Sequence, residues 1–220
     1  MRVLVLGAHP DDELLGPGGT IAGHVDSGDE VVCVIASEGA TTRYGDDSVA
    51  ELETSAREAA EILGVADIRF LALPDQQLDA QPILSVIQAV ERIVEEVHPE
   101  VVYSHHWGDA NRDHRVISEA TMVACRPIGD RFPASVYLFE TPSSTEWSWP
   151  DPNSAFVPNH FVDVTATLER KLEAMARYTT EVRPPPHPRS PEALRSRAAY
   201  WGQTITRPFA EAFVVGRQVR

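Results

Sequence analysis

MRVLVLGAHPDDE, residues 1–13, sets a short apolar run directly against a turn that carries one imidazole and three carboxylates. Val3–Ala8 is continuously apolar and of strand length. A strand that is buried on both faces reads this way, because neither side of it meets water. One Arg before a five-residue apolar stretch superficially resembles a signal peptide, but the stretch is too short and no cleavage site follows. The reading is a buried first strand that ends in a charged turn.

Outward from that turn, strand and helix patterns alternate. Gly18 and Gly19 open a helical stretch to about Ser27, and Glu30–Ala36 is a second strand rich in β-branched residues. A polar loop spans Ser37 to Asp47. Ser48 and Glu51 form a capping box for a helix ending near Gly64. Asp67–Leu71 is a third strand, Gln81–Val97 a helix, and Glu100–Ser104 a fourth strand. Asp113–Cys125 is helical, with Val116, Ile117, Ala120 and Val123 on one face. Ala134–Phe139 adds a strand. Helices of this length between strands force right-handed parallel crossovers. The expected fold is therefore α/β, a Rossmann-like three-layer sandwich with a mostly parallel sheet. In such sheets ligands collect beyond the C-terminal strand ends, and the two chemically richest segments follow the first and fourth strands.

From Thr141 the texture changes to Pro, Ser and Trp up to about Asn159, too long for a plain connection and of the kind that binds ligands. Asp163 or Thr165 could cap a helix to about Glu181, Ser190 and Pro191 open another, and Ala210–Val215 reads as a last strand. The organisation expected is one domain over 1–220, with a Rossmann-like core over 1–140 and a substrate loop with a helical and strand extension over 141–220.

The chain carries a formal charge of −14, which works against a sequence-independent grip on a phosphate backbone, so no nucleic-acid partner is expected. No apolar run is long enough to span a bilayer, so no membrane insertion is expected. Cys33 and Cys125 read as small core residues, in keeping with a reducing cytoplasm.

Zinc accepts imidazole nitrogen and carboxylate oxygen, and a catalytic zinc keeps three protein ligands and one open position. The spacing of His9 and Asp12 lets both turn toward one point if Pro10 keeps the turn tight. The segment Asn111-Arg112-Asp113-His114 offers a third ligand from the same sheet edge. The competing reading is a charged turn with a capping Asp.

AHPDDE after the first strand, with a later Asp-His at a helix start, resembles the LmbE/PIG-L family of metal-dependent N-deacetylases. Arg57-Glu58 with Ile62–Val65, Leu73-Pro74-Asp75, Pro142–Trp147, Pro186–Ser190 and Ala210–Phe213 extend the resemblance over most of the chain. It implies that His9, Asp12 and His114 bind one divalent metal ion, zinc or alternatively ferrous iron. It also implies that Asp11 is the general base. Many members carry a His three residues before the third ligand, where this chain has Asn111. His187, His105 and His106 are the candidates to supply the oxyanion donor in its place, with the last two otherwise read as loop histidines of the rim. Glu13 reads as a partner behind the ligands or a helix cap. Asp113 reads as an orienter of an imidazole or the N-cap of a helix beginning at His114.

Arg57 reads as a substrate ligand, or as a surface Arg paired with Glu53 or Glu61. Asp75 could bind sugar hydroxyls or form a turn. Trp147, with Trp149 and Trp201, could stack on a sugar ring or pack in a core. Arg189 reads as a substrate clamp or a loop anchor. The resemblance implies an N-acetylated, sugar-like small molecule as substrate, and assembly into a homo-oligomer. The rival functions are another single-metal hydrolase, an amidase or phosphoesterase, and a non-catalytic sugar or nucleotide binder. The binder lacks its glycine fingerprint after the first strand.

Overall fold

The structure, a computed structural model, describes residues 1–39, 47–129 and 131–219. Most of the expected polar loop over 37–47 lies outside the described residues. In chain order the elements are β1 Arg2–Gly7, α1 Asp12–Leu15, α2 Gly18–Asp26, β2 Glu30–Ser37, α3 Asp47–Leu63, β3 Asp67–Leu73, α4 Ile83–Val97, β4 Val101–His105, α5 Arg112–Ala124, β5 Ser135–Phe139, β6 His160–Asp163, α6 Leu168–Met175, α7 Pro191–Thr204 and β7 Ala210–Gln218.

Among the described residues seven strands form one sheet in the order β3-β2-β1-β4-β5-β7-β6. The first five run parallel, and β7 lies antiparallel between β5 and β6. The order steps outward from β1 to β3, then restarts at β4 on the other side. That reversal opens a crevice between the C-terminal ends of β1 and β4.

Alternation along each buried strand builds two cores. Val3, Val5, Cys33, Ile35 and Tyr103 pack with Ile21, Leu52, Met175 and Leu194 from α2, α3, α6 and α7. Leu4, Leu6, Val32, Val34 and Val102 pack on the opposite face with Val86, Val90 and Ile93 of α4 and Ile117 of α5. This is the expected three-layer α/β sandwich. Both cysteines are free and buried, as their setting in the sequence implied. Among the described residues no helix is long and apolar enough to cross a membrane.

Several boundaries differ from expectation. The helix expected from Asp163 or Thr165 to Glu181 is only α6, Leu168–Met175. The chain turns after it because Tyr178 is drawn fully inward, its hydroxyl donating to Glu13 Oε1 at 2.6 Å. Strand β6 has no apolar alternation and is a partly exposed edge strand, recognisable only through its pairing with β7. His105 is the last residue of β4, and both His105 and His106 are fully buried rather than on a loop rim.

Candidate metal centre

Beyond β1 the chain folds back on itself. The His9 N–H donates to Asp12 Oδ2 at 2.7 Å, which closes a tight turn around Pro10 and brings both side chains to one side. Gly39 packs over this turn at φ +73°, where a Cβ would sit 2.3 Å from Pro10 Cδ, so only glycine fits there. Asp11 holds a left-handed φ of 101°, rare for a residue with a side chain. Its N–H donates to Glu13 Oε2 at 3.1 Å, and Glu13 is held in turn by Tyr178. Burial pushes the Glu13 carboxyl up to about 7.

The second half of the site follows β4. Asn111 Oδ1 accepts from Asp113 N–H at 2.8 Å and caps α5, so the helix begins at Arg112 and the cap is Asn111 rather than Asp113. His114 then lies in the first turn of α5, buried and facing the β1 turn. His105 stacks flat beneath it, with ring centres 4.0 Å apart and planes at 16°.

The three side chains meet. His9 Nδ1 lies 3.1 Å from His114 Nε2, and each of these nitrogens lies 3.4 Å from Asp12 Oδ2. Zinc bonds of about 2.0–2.1 Å put neighbouring ligand atoms of a tetrahedron about 3.3 Å apart. The triangle therefore has the dimensions of one face of a tetrahedral site.

The imidazole nitrogens facing away from the triangle are matched by carboxylates. Asp113 Oδ2 accepts from His9 Nε2 at 3.1 Å and also from Gln76 N–H at 2.8 Å, while its Oδ1 accepts from Leu78 N–H at 3.1 Å. His114 Nδ1 lies 3.1 Å from Asp109 Oδ1, off the ideal hydrogen-bond line. A carboxylate can only accept, so each pairing favours a proton on the outer nitrogen and leaves the inner nitrogen facing the centre, where a metal ion would displace any proton it carries.

The electrostatics favour a cation here. Burial pulls the His9 imidazole down, but bonds to Asp113 and Asp12 outweigh it and hold it at about 9. At His114 burial is likewise outweighed by Asp12 and Asp109, giving about 10. Burial works against ionisation of Asp12, but the neighbouring His114 holds its carboxyl well below the usual range. His105 itself is pushed down to about 4 by burial. Its Nε2 accepts from Ala8 N–H at 2.9 Å and so brings no proton to its 3.2 Å contact with Asp12 Oδ2. Two acceptors that close are tolerated when positive charge sits beyond the carboxylate. A divalent ion thus fits both the distances and the charge.

The triangle opens into a cavity of about 590 Å³. Asp11, Asp75, Asn111, Trp147, His187 and Arg189 all line it with His9, Asp12 and His114. Asp75 Oδ1 comes within 3.6 Å of His9 Nε2, and with Asp113 these residues form a second group of ligand-type atoms. That group uses the His9 nitrogen already given to Asp113. Trp147 is 59% exposed and stands edge-on to His187, with ring centres 5.9 Å apart. Trp149, 82% exposed, projects outward, and Trp201 is anchored by donating to Glu140.

Arg57 does not join them. It lies on the exposed face of α3, 3.7 Å from Glu53 and 4.9 Å over the Phe70 ring, which corresponds to the surface-pair alternative. Arg189 points inward instead, Nη1 donating to Asp11 Oδ2 at 2.7 Å. Burial raises the Asp11 carboxyl well above its usual range, with Arg189 opposing.

Two participants were not read from the sequence. Asp109 is fully buried and accepts from Thr145 Oγ1 at 2.7 Å, Asn111 N–H at 2.8 Å and the Ser144 hydroxyl. Its place five residues before His114 is the only signal it leaves in the sequence. Glu181, which shares Arg189 with Asp11, leaves none.

The profile of the PIG-L family, described as GlcNAc-PI de-N-acetylase, matches residues 4–125. The diacetylchitobiose deacetylase of Thermococcus kodakarensis is 31% identical over 237 aligned residues, covering 98% of this chain and 84% of the relative. The 4-oxalmesaconate hydratase of Pseudomonas putida is 30% identical over 195, covering 78% and 70%. Among solved structures, the N,N′-diacetylchitobiose deacetylase from Pyrococcus horikoshii superposes with a TM-score of 0.79 at 24% identity, over 97% of this chain and 83% of that one. That last likeness is one of fold.

Proposed function

This chain belongs to the PIG-L family of deacetylases, and on that premise we propose that it is a zinc-dependent N-deacetylase. Its reaction is hydrolysis of the acetamide of an N-acetylated, amino-sugar-like small molecule to acetate and a free amine. The observation that carries this is the triangle of His9 Nδ1, Asp12 Oδ2 and His114 Nε2, with edges of 3.1, 3.4 and 3.4 Å. These three residues would hold the ion, ferrous iron being the alternative for a His₂Asp set. When bound there, such an ion would polarise the acetyl carbonyl and lower the pKa of water toward about 7.

The chain's own groups supply the rest. Asp11 Oδ2 is held by Arg189, which leaves Oδ1 to take the proton of the attacking water. The carbonyl carbon gains that oxygen, the C–N bond breaks, and the amine leaves with a proton returned from the same carboxyl. Asn111 commits its oxygen to capping α5, so its NH₂ is the end available to an oxyanion. His187 Nδ1 accepts from Arg189 N–H at 3.1 Å, which places the proton of the neutral ring on Nε2 as a second donor. Burial and the neighbouring Arg189 and Arg183 lower its pKa and keep it neutral. Asp75 and Trp147 both line the cavity, where Asp75 would accept from sugar hydroxyls and Trp147 would offer a ring face to the sugar.

The test is metal analysis of the purified protein together with free-amine release from N-acetyl-D-glucosamine and N,N′-diacetylchitobiose. We expect one ion per chain, loss of turnover with a chelator and recovery on adding zinc. His187→Ala should lower kcat far more than metal content. Fully loaded protein that releases no amine from a panel of N-acetyl amino sugars would sink the reading. The hydratase relative favours a second reading, addition of water to a substrate of that enzyme's kind, and 4-oxalmesaconate offered to the same loaded protein decides between them.

A further inference from the structure

We propose that Arg189 is a positioning residue for Asp11 rather than a substrate clamp, and that Glu181 is the second half of the device. The inference rests on the N-deacetylase reading only for Asp11 being the proton acceptor. Its geometry stands independently. Arg189 Nη1 is shared between Asp11 Oδ2 and Glu181 Oε2, each at 2.7 Å, and Nε donates to Ser143 Oγ at 2.7 Å. One side chain therefore ties the turn after β1 to the loop after β5 and the segment after α6.

Charge argues against a clamp. An arginine that recognises a substrate anion needs its charge available, yet here one guanidinium faces two carboxylates. Arg189 Nη1 is already committed to both carboxylates, which leaves it engaged within the protein rather than offered to a substrate anion. A guanidinium spent this way orients its carboxylates instead, since its rigid fork dictates where each oxygen lies. Asp11 needs such orientation. Its φ of 101° is a strained backbone state, which persists only where the surroundings over-determine it. The turn supplies one restraint through Glu13, and Arg189 supplies the other at the carboxylate. With Oδ2 pinned, the Asp11 carboxylate at the cavity wall is restrained, and small misplacements of a base are costly in rate.

Glu181 sets the arginine. Without it the guanidinium is free to swing wholly onto Asp11 and engage both oxygens, which would occupy the one that takes the proton.

The experiment is steady-state kinetics of Arg189→Met, Arg189→Lys and Glu181→Gln on N,N′-diacetylchitobiose, with zinc content measured for each. Arg189→Met is expected to lower kcat by about 10- to 100-fold with KM within about threefold and zinc content unchanged. Arg189→Lys should recover part of kcat, and guanidinium ion added to Arg189→Met should do the same. Glu181→Gln should lower kcat by a smaller factor, again at constant KM. A rise in KM with kcat intact would overturn the proposal in favour of a clamp, as would loss of zinc in all three variants in favour of a structural role. If Arg189→Met does not fold, Arg189→Lys and Glu181→Gln carry the same KM-against-kcat split. Wild-type protein inactive on every amide tested would count against the deacetylase reading. The double-mutant cycle of Asp11→Asn with Arg189→Met on thermal stability then tests the pairing alone, and additivity there would refute it.

Discussion

Asp12 Oδ2 lies within 3.4 Å of nitrogens from three imidazoles, those of His9, His105 and His114, and only two of the three can give it a metal-facing partner. The distinction comes from what each ring does on its other side. His9 is matched by Asp113 and His114 by Asp109, whereas His105 Nε2 accepts from Ala8 and its Nδ1 lies 3.1 Å from Thr141 Oγ1. His105 therefore serves as a flat support under His114, and the two outer carboxylates single out His9 and His114 as the candidate ligands. Asp109→Ala and Asp113→Ala are each expected to weaken zinc binding by about 10- to 100-fold while leaving the fold in place. Competition with a chromophoric chelator measures the first quantity and far-ultraviolet dichroism checks the second. An unchanged affinity in both would leave the outer carboxylates without a role at the metal. His9, Asp12 and His114 were legible from residue type and motif, because the AHPDDE turn and the Asp-His at a helix start are local. Asp109 was not, since nothing around it in the chain reveals that Ser144 and Thr145 fold over it.

At the scale of elements, α2 begins without a side-chain cap of its own: Pro17 precedes it and offers none. Glu211 of β7 fills the role from 191 residues away, Oε2 accepting from Thr20 N–H at 2.7 Å and Oε1 from Gly19 N–H at 2.8 Å. Lys171 of α6 neutralises it at 2.6 Å, and its Nζ also reaches the carbonyls of Leu15 and Gly16 at the end of α1. Lys171 and Glu211 are both buried. One carboxylate thus locks the helix that follows the turn after β1 to the last strand of the sheet. Glu211→Ala strips two helix N–H groups and leaves a buried ammonium unpaired. It should destabilise the protein by about 3–5 kcal/mol, read as a shift in the urea midpoint at constant slope. A shift below about 1 kcal/mol, the scale of an exposed ion pair, would show that water reaches the pair.

Across the whole molecule, the region after residue 140 is wound into the sheet rather than appended to it. β7 pairs directly with β5, and Phe213, Met175, Tyr178 and Leu194 belong to the same core as Val3 and Val5 of β1. The segment also supplies Arg189 and His187 to the cavity and Tyr178 to Glu13. We therefore propose a single cooperative unit over the full chain. Residues 1–140 expressed alone should fail to fold, because β5 would become a bare edge and one face of the sheet would lose its cover. Full-length protein should unfold in one transition when followed by tryptophan fluorescence and by dichroism. Two separated transitions, or a soluble and cooperative 1–140 fragment, would divide the chain at residue 140.

By itself the sequence determined the parallel α/β core and the turn after β1, and it singled out His9, Asp12 and His114, which the structure brings together as a group able to hold a metal ion. Each of these is encoded in short-range pattern: apolar runs, helix periodicity, and ligand types a few residues apart. Tertiary structure alone decided which histidines turn their lone pairs to the centre, that Arg57 stays on the surface, and that Arg189 grips Asp11. Those outcomes depend on which groups meet across the sheet. A buried polar atom takes whatever partner the fold brings within about 3 Å, and no local pattern in the chain records that meeting.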